Sequence, residues 1–189
     1  LPRLPQTQEE AHAIDALSST PSRVYVGFDA TKSLVTSGGL SDFQYLHFAT
    51  HGVIDSQNPE NTGLALSCYG PSGSLVDGHL TVSDLERLPL QADLVVLSAC
   101  RTARGELLFG EGLMGLTRGF MNAGAPRVVA SLWTVQDSVT RELMESFYSR
   151  LMKQGKRPAE ALREAQLELR EYRPEPYHWA AFVFQGEWQ

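Results

Sequence analysis

Cysteine is scarce in this 189-residue chain: Cys68 and Cys100 are the only two. Two thiols cannot build a disulfide framework or a four-cysteine zinc site, and a reducing cytoplasm is the compartment that fits. Long apolar runs are missing as well. No stretch approaches the roughly 18 consecutive apolar residues of a membrane span. The opening Leu1-Pro2-Arg3-Leu4-Pro5 has none of the apolar core of a signal peptide. Positive charge is not in excess: 16 Lys and Arg against 22 Asp and Glu leave a net charge of −6. That argues against a nucleic-acid surface as the primary role. Low-complexity tracts, internal repeats and an internal linker are absent too. The first residue is not Met, which points to a piece of a longer protein.

What is present has the composition of a globular protein, with 42% of residues hydrophobic and 20% charged. The length suits a single domain over residues 1–189. Strand-like and helix-like periodicity alternate along it. Strands are predicted at residues 23–28 (RVYVGF), 45–50 (YLHFAT), 63–67, 93–98 (DLVVLS), 127–133 (RVVASLW) and 179–184 (WAAFVF). Helices are predicted at 9–17, 81–88, 111–123, 138–153 and 158–172, with a weak helix or loop at 30–40. Near-continuous apolar strands alternating with helices imply an α/β fold: a three-layer αβα sandwich around a mostly parallel central sheet.

In such sheets the reactive groups collect beyond the carboxyl ends of the strands. Two residues with nucleophile chemistry stand there. His51 follows one predicted strand and Cys100 follows another, with His51 about 50 residues upstream. If the two strands are neighbours, a thiol and an imidazole face one crevice, as a nucleophile and its proton partner. Gly52 follows His51, and a glycine lets a backbone N–H approach an oxyanion without interference from a Cβ. The N–H of Cys100 can supply the second donor. Taken alone, Cys100 reads as an inert buried thiol; the His-Gly and Ser-Ala-Cys contexts turn the reading toward catalysis. His47 is expected to hydrogen-bond within the core, Cys68 to be structural, and His79 and His178 to be surface or packing residues. Asp55 either lines the pocket or orients its loop. Gly110-Glu111-Gly112-Leu113-Met114-Gly115 fits G-x-G-x-x-G, but it does not directly follow a strand, and Glu111 would set a carboxylate against a pyrophosphate. The basic residues of 141–170 are interleaved with acids, as on a solvated face.

Taken in order, the segments His47-Phe48-Ala49-Thr50-His51-Gly52, Leu97-Ser98-Ala99-Cys100-Arg101-Thr102, Gly110-Glu111-Gly112, Ser131-Leu132-Trp133-Thr134-Val135-Gln136-Asp137 and His178-Trp179-Ala180-Ala181-Phe182 resemble the CHAT domain. That family is caspase-like and related to separase, among the cysteine peptidases of the caspase–hemoglobinase fold. The resemblance covers nearly the whole chain. It implies a cysteine endopeptidase with His51 and Cys100 as the catalytic dyad and Gly52 in the oxyanion hole, acting on a protein substrate without cofactor or metal. Asp137 lies in a stretch similar to the separase segment that binds a P1 arginine, and a carboxylate there would favour Arg or Lys. It also precedes Ser138 and could instead cap the helix starting there. The backbone of Ser131 to Trp133 resembles the strand against which caspase-type substrates pair, and Trp133 can line a subsite. The family implies upstream tetratricopeptide repeats, further N-terminal strands and helices, and work in bacterial regulatory or defence pathways. The alternative is a catalytically silent CHAT module acting as a regulatory or protein-interaction domain.

Overall fold

Leu94 and Val96 face one side of their strand and Val95 and Leu97 the other, and all four are buried. A strand buried on both faces needs a covering layer on each side. The computed structural model supplies both, and it describes residues 4, 6–55, 57–70, 72–98 and 109–188. In chain order the elements are α1 (Thr7–Asp15), α2 (Lys32–Thr36), β1 (Tyr45–Phe48), β2 (His51–Val53), β3 (Gly63–Ala65), β4 (His79–Thr81), α3 (Val82–Leu85), β5 (Leu94–Leu97), α4 (Phe109–Asn122), β6 (Arg127–Ser131), α5 (Asp137–Tyr148), α6 (Pro158–Tyr172), α7 (Pro176–Trp179) and β7 (Phe182–Gly186). A π-helical turn, Ser149–Lys153, continues α5.

The main sheet has the order β1-β5-β6-β7. β1, β5 and β6 run parallel and β7 is antiparallel. This is the mostly parallel sheet of a caspase-like α/β fold. Its two faces carry two separate cores. On one, Leu94, Val96 and Val129 pack with Ile14 of α1, Leu143 and Phe147 of α5 and Leu162 and Leu169 of α6. On the other, Val95, Leu97, Val128 and Ala130 pack with Val35 of α2, Leu85 of α3, Phe120 of α4, and Leu64 and Leu80. Leu64 and Leu80 belong to a second, three-stranded antiparallel sheet of order β2-β3-β4. That sheet was not legible as such from the sequence.

Local signals explain most element bounds. Thr81 and Asp84 form a reciprocal capping box that starts α3. Pro158 stands in the first turn of α6, where its missing N–H costs no helical bond. Gly124 follows α4 at φ +118°, and a Cβ there would come within 2.4 Å of the Leu90 carbonyl oxygen.

Three expectations are corrected. Residues 23–28 form no strand: the backbone groups of Ser22 to Tyr25 make no hydrogen bond among the described residues, and strand propensity needs a partner edge to become a strand. The strand at 45–50 stops at Phe48, and His51 opens a different sheet. WAAFVF begins as helix, because Pro176 starts a turn through Trp179 and the strand begins only where Phe182 pairs with Ser131. Cys68, expected to be structural, is a free, exposed thiol. The glycines of the G-x-G-x-x-G stretch lie inside α4. No helix among the described residues is long and apolar enough to cross a membrane.

Candidate active site

The site region begins where β1 ends. Phe48 is paired with Leu97 across the parallel β1–β5 ladder, so the two strands finish side by side at the same end of the sheet. Ser98 holds them there, its N–H donating to the Phe48 carbonyl oxygen at 3.1 Å. The Ser98 hydroxyl is buried and has no hydrogen-bond partner among the described residues. After Ala49, the Thr50 hydroxyl donates to the carbonyl oxygen of Ala65. That bond pins the turn at which the chain leaves the main sheet for the small one.

His51 is the first residue of β2 and is only 7% exposed. Its side chain shares a row with Ala65 and His79, since His51 pairs with Ala65 and Ala65 with His79. Residues opposite one another in an antiparallel ladder point to the same face. The neighbouring row, Gly52, Leu64 and Leu80, turns its leucines into the core. His51 therefore stands on the face of the small sheet turned away from that core. β3 and β4 approach closely, because a Cβ on Gly63 would fall 2.1 Å from the Leu80 carbonyl oxygen. His79 was expected only as a surface or packing residue. Its sharing of the His51 row depends on two long-range strand pairings, and no local pattern announces it.

Cys100 lies outside the described residues, as do Ala99 and the residues from 101 to 108. In sequence it stands as far beyond Leu97 as His51 stands beyond Phe48. Asp55 is part-buried and organises the loop after β2. Its Oδ1 accepts the N–H groups of Gln57 at 3.0 Å and Asn58 at 2.9 Å. Those bonds, led by the one from Asn58, hold its carboxyl below the usual carboxylate range. Ser131 is buried; its hydroxyl donates to the Trp133 carbonyl oxygen at 2.6 Å, and its strand position is paired with Phe182. The Leu132 N–H donates to Ala181. One edge of this segment is thus taken by β7, and the other runs past Leu97, where β5 ends. The Trp133 indole is fixed by donation to the Tyr177 carbonyl oxygen at 2.9 Å. Asp137 is the first residue of α5, whose N-cap is Gln136. No side chain caps that helix, so Asp137 does not serve as its cap; its carboxylate is part-buried. Its charge still favours the helix N-terminus through the helix dipole.

A caspase-like, mostly parallel sheet, with His-Gly following its edge strand β1 in sequence and Ser-Ala-Cys following the neighbouring β5, is joined by a match along the sequence: the CHAT domain profile fits residues 1–187. The chain belongs to the CHAT domain family. Tetratricopeptide repeat protein 28 of Mus musculus is 30% identical over 214 aligned positions, covering 97% of this CHAT domain. The Homo sapiens protein of the same name is 29% identical over the same span. The chain spans only 8% of the length of either relative. The family therefore extends to mammals.

No group of three or more His, Cys, Asp or Glu among the described residues is arranged to hold a metal ion. The buried polar cluster that does exist lies elsewhere. His47 of β1 faces the helical layer, its Nε2 2.9 Å from Glu10 Oε1 and its Nδ1 3.1 Å from the Tyr148 hydroxyl. Burial pushes the Tyr148 phenol well above its ordinary range, and the Glu10 charge pushes the same way, so it stays protonated. This is the satisfied core histidine expected from the sequence.

Proposed function

We propose that this CHAT domain is a cysteine endopeptidase that makes limited cuts in protein substrates through His51 and Cys100. The observation that carries the reading is the register of β1 against β5, Phe48 opposite Leu97, with His51 and Cys100 following at equal distances in sequence. In the proposed reaction the Cys100 thiolate attacks the scissile carbonyl carbon. The N–H groups of Gly52 and Cys100 hold the oxyanion. His51 protonates the leaving amine, and water, deprotonated by His51, then hydrolyses the thioester. Asp137 binds a P1 Arg or Lys; it caps no helix, which leaves its carboxylate available for a cation. Trp133 and the outer edge of the Ser131 segment receive the substrate backbone, while Asp55 shapes the loop beside them. The relatives' names support tetratricopeptide repeats in the parent protein; in this reading they lie upstream and present the substrate.

The test is cleavage of a mixed peptide library read by mass spectrometry, with wild type, Cys100→Ala and His51→Ala in parallel. The expected result is cutting after Arg or Lys by wild type alone. Cutting that persists in both variants overturns the dyad. If wild type and the full-length parent both cut nothing, the domain works as an interaction module.

A further inference from the structure

Trp133, the edge of the Ser131 segment and Asp137 all belong to one stretch of chain, from the end of β6 to the start of α5. Beyond Ser131 that stretch leaves the strand pairing of the sheet. Leu132 keeps one bond to the far side, its N–H donating to the Ala181 carbonyl oxygen at 2.7 Å. Thr134, two residues on, is exposed. A surface segment without a ladder stays loose unless other groups take up its polar atoms. Here those groups come from α7. Ser131 lies opposite Phe182, so the chain that enters β7 arrives at the end of the sheet where β1, β5 and β6 finish. From α7, Tyr177 makes two bonds to the stretch. Its carbonyl oxygen accepts from the Trp133 indole at 2.9 Å, and its phenol donates to the Thr134 carbonyl oxygen at 2.5 Å. The Trp133 carbonyl is held separately by the Ser131 hydroxyl.

We propose that Tyr177 is a positioning residue for the substrate: it clamps residues 133 and 134 so that the edge of this stretch is ordered before a peptide arrives, and it thereby sets how much the residues preceding P1 add to binding. The role rests on the peptidase reading and deepens it. The clamp has a firm base. The turn of α7 is closed by the His178 and Ala180 N–H groups, which donate to Glu175 and Pro176. The Trp179 indole donates to the Pro174 carbonyl oxygen at 3.2 Å, and the Arg170 guanidinium of α6 lies 5.7 Å from the centre of the Trp179 ring. Tyr177 itself is 51% exposed. Water is therefore an alternative partner for its phenol, and the bond to Thr134 contributes little to overall stability. Its effect is local. A peptide that adds as a strand is held by main-chain bonds to an edge in the right form. An edge ordered only at the moment of binding costs affinity, and one ordered beforehand does not.

The experiment compares wild type with Tyr177→Phe, which removes the phenol oxygen and keeps the ring. Two fluorogenic substrates are used: a single P1 residue with an amide-linked reporter, and the same reporter with three further residues on its N-terminal side. In wild type the longer substrate is expected to have a kcat/KM at least ~10-fold higher. Tyr177→Phe should lose most of that gain through KM, with kcat on either substrate and kcat/KM on the single-residue reporter within ~2-fold of wild type. In the same variant the Trp133 indole N–H should exchange with solvent at least ~10-fold faster, with the amides of β6 and the urea midpoint unchanged. A Tyr177→Phe variant that keeps the full gain from the longer substrate overturns the proposal and leaves the peptidase reading standing. So does an equal loss on both substrates, the mark of a merely structural role, and so does unchanged exchange of the Trp133 indole. If wild type, as this chain and as the full-length parent, cuts neither substrate, the peptidase reading falls and this role falls with it.

Discussion

Two histidines in one short stretch, His47 and His51, meet opposite fates. Had the strand run on through Thr50, as its apolar pattern suggests, both would point to the same face and into the same helical layer. His47 does so and is bound on both ring nitrogens by Glu10 and Tyr148. His51 escapes because the main-sheet strand ends at Phe48, Thr50 bonds to Ala65 and a second sheet begins. A break of two residues therefore separates an architectural imidazole from the one proposed for catalysis. The clearest way to break the comparison is to remove each in turn. His51→Ala is expected to lower peptide cleavage at least ~10³-fold, with little change in the denaturant midpoint. Cleavage within ~10-fold of wild type would remove His51 from the dyad.

His47→Ala should do the reverse. Glu10, 3% exposed, would be left as a buried acid without its partner, at a cost of about 3–5 kcal/mol in urea unfolding. Replacing both members, His47→Leu with Glu10→Leu, should regain much of that loss, because a buried pair is roughly exchangeable for apolar residues. If the double variant is no better than the single, the pair is not the reason.

Much of this was legible in the sequence. DLVVLS and RVVASLW are short apolar runs bounded by turn residues, and they become the doubly buried β5 and β6. Pro158 and the Thr81-x-x-Asp84 box mark helix starts by local chemistry alone. What was not legible depends on partners distant in the chain. RVYVGF has strand propensity but no neighbouring edge. The three-stranded sheet exists because Leu64 and Leu80 find the same core from opposite strands, and no window of a dozen residues contains that pairing. The site divides in the same way. His-Gly and Ser-Ala-Cys were visible as motifs, whereas the shared row of His51, Ala65 and His79 is a product of register.

Two smaller changes sharpen the contrast on the His51 side. Asp137→Asn should reduce discrimination for Arg or Lys at P1 by about 10–100-fold, the loss of one charge-assisted bond of roughly 1.5–3 kcal/mol. Stability should move by less than ~1 kcal/mol, the scale of one charge at a helix N-terminus. Unchanged kcat/KM ratios across P1 residues would place the selectivity elsewhere. Gly63→Ala forces a methyl toward the Leu80 carbonyl and should destabilise by about 1–3 kcal/mol. Because β3 pairs with β2 and contributes Ala65 to the His51 row, cleavage should fall with it, whereas hydrogen exchange in α5 and α6 should not change below the global unfolding limit.

The smallest expected effect concerns how the small sheet is tied to the rest. Lys32 of α2 reaches Asp77 and Asp84, 2.7 Å from an oxygen of each. The bond from Lys32 is the main reason the Asp77 carboxyl titrates below its ordinary range. At Asp84 burial works upward, and the Lys32 and Thr81 bonds outweigh it, so the net direction is again downward. A carboxylate with a folded pKa below its unfolded value, about 3.9 for Asp, adds stability that is complete above that value. The stability disappears as pH falls through the lower folded pKa. Asp77 is largely exposed, so solvent screens most of the interaction, and the gain at neutral pH should be below ~1 kcal/mol. Lys32→Met should therefore lower the urea midpoint slightly at pH 7 and hardly at all near pH 2, where wild type has already lost the same contribution. A variant that loses as much at pH 2 as at pH 7 would show that Lys32 acts through packing of its stem against α2 and the small sheet, not through its charge.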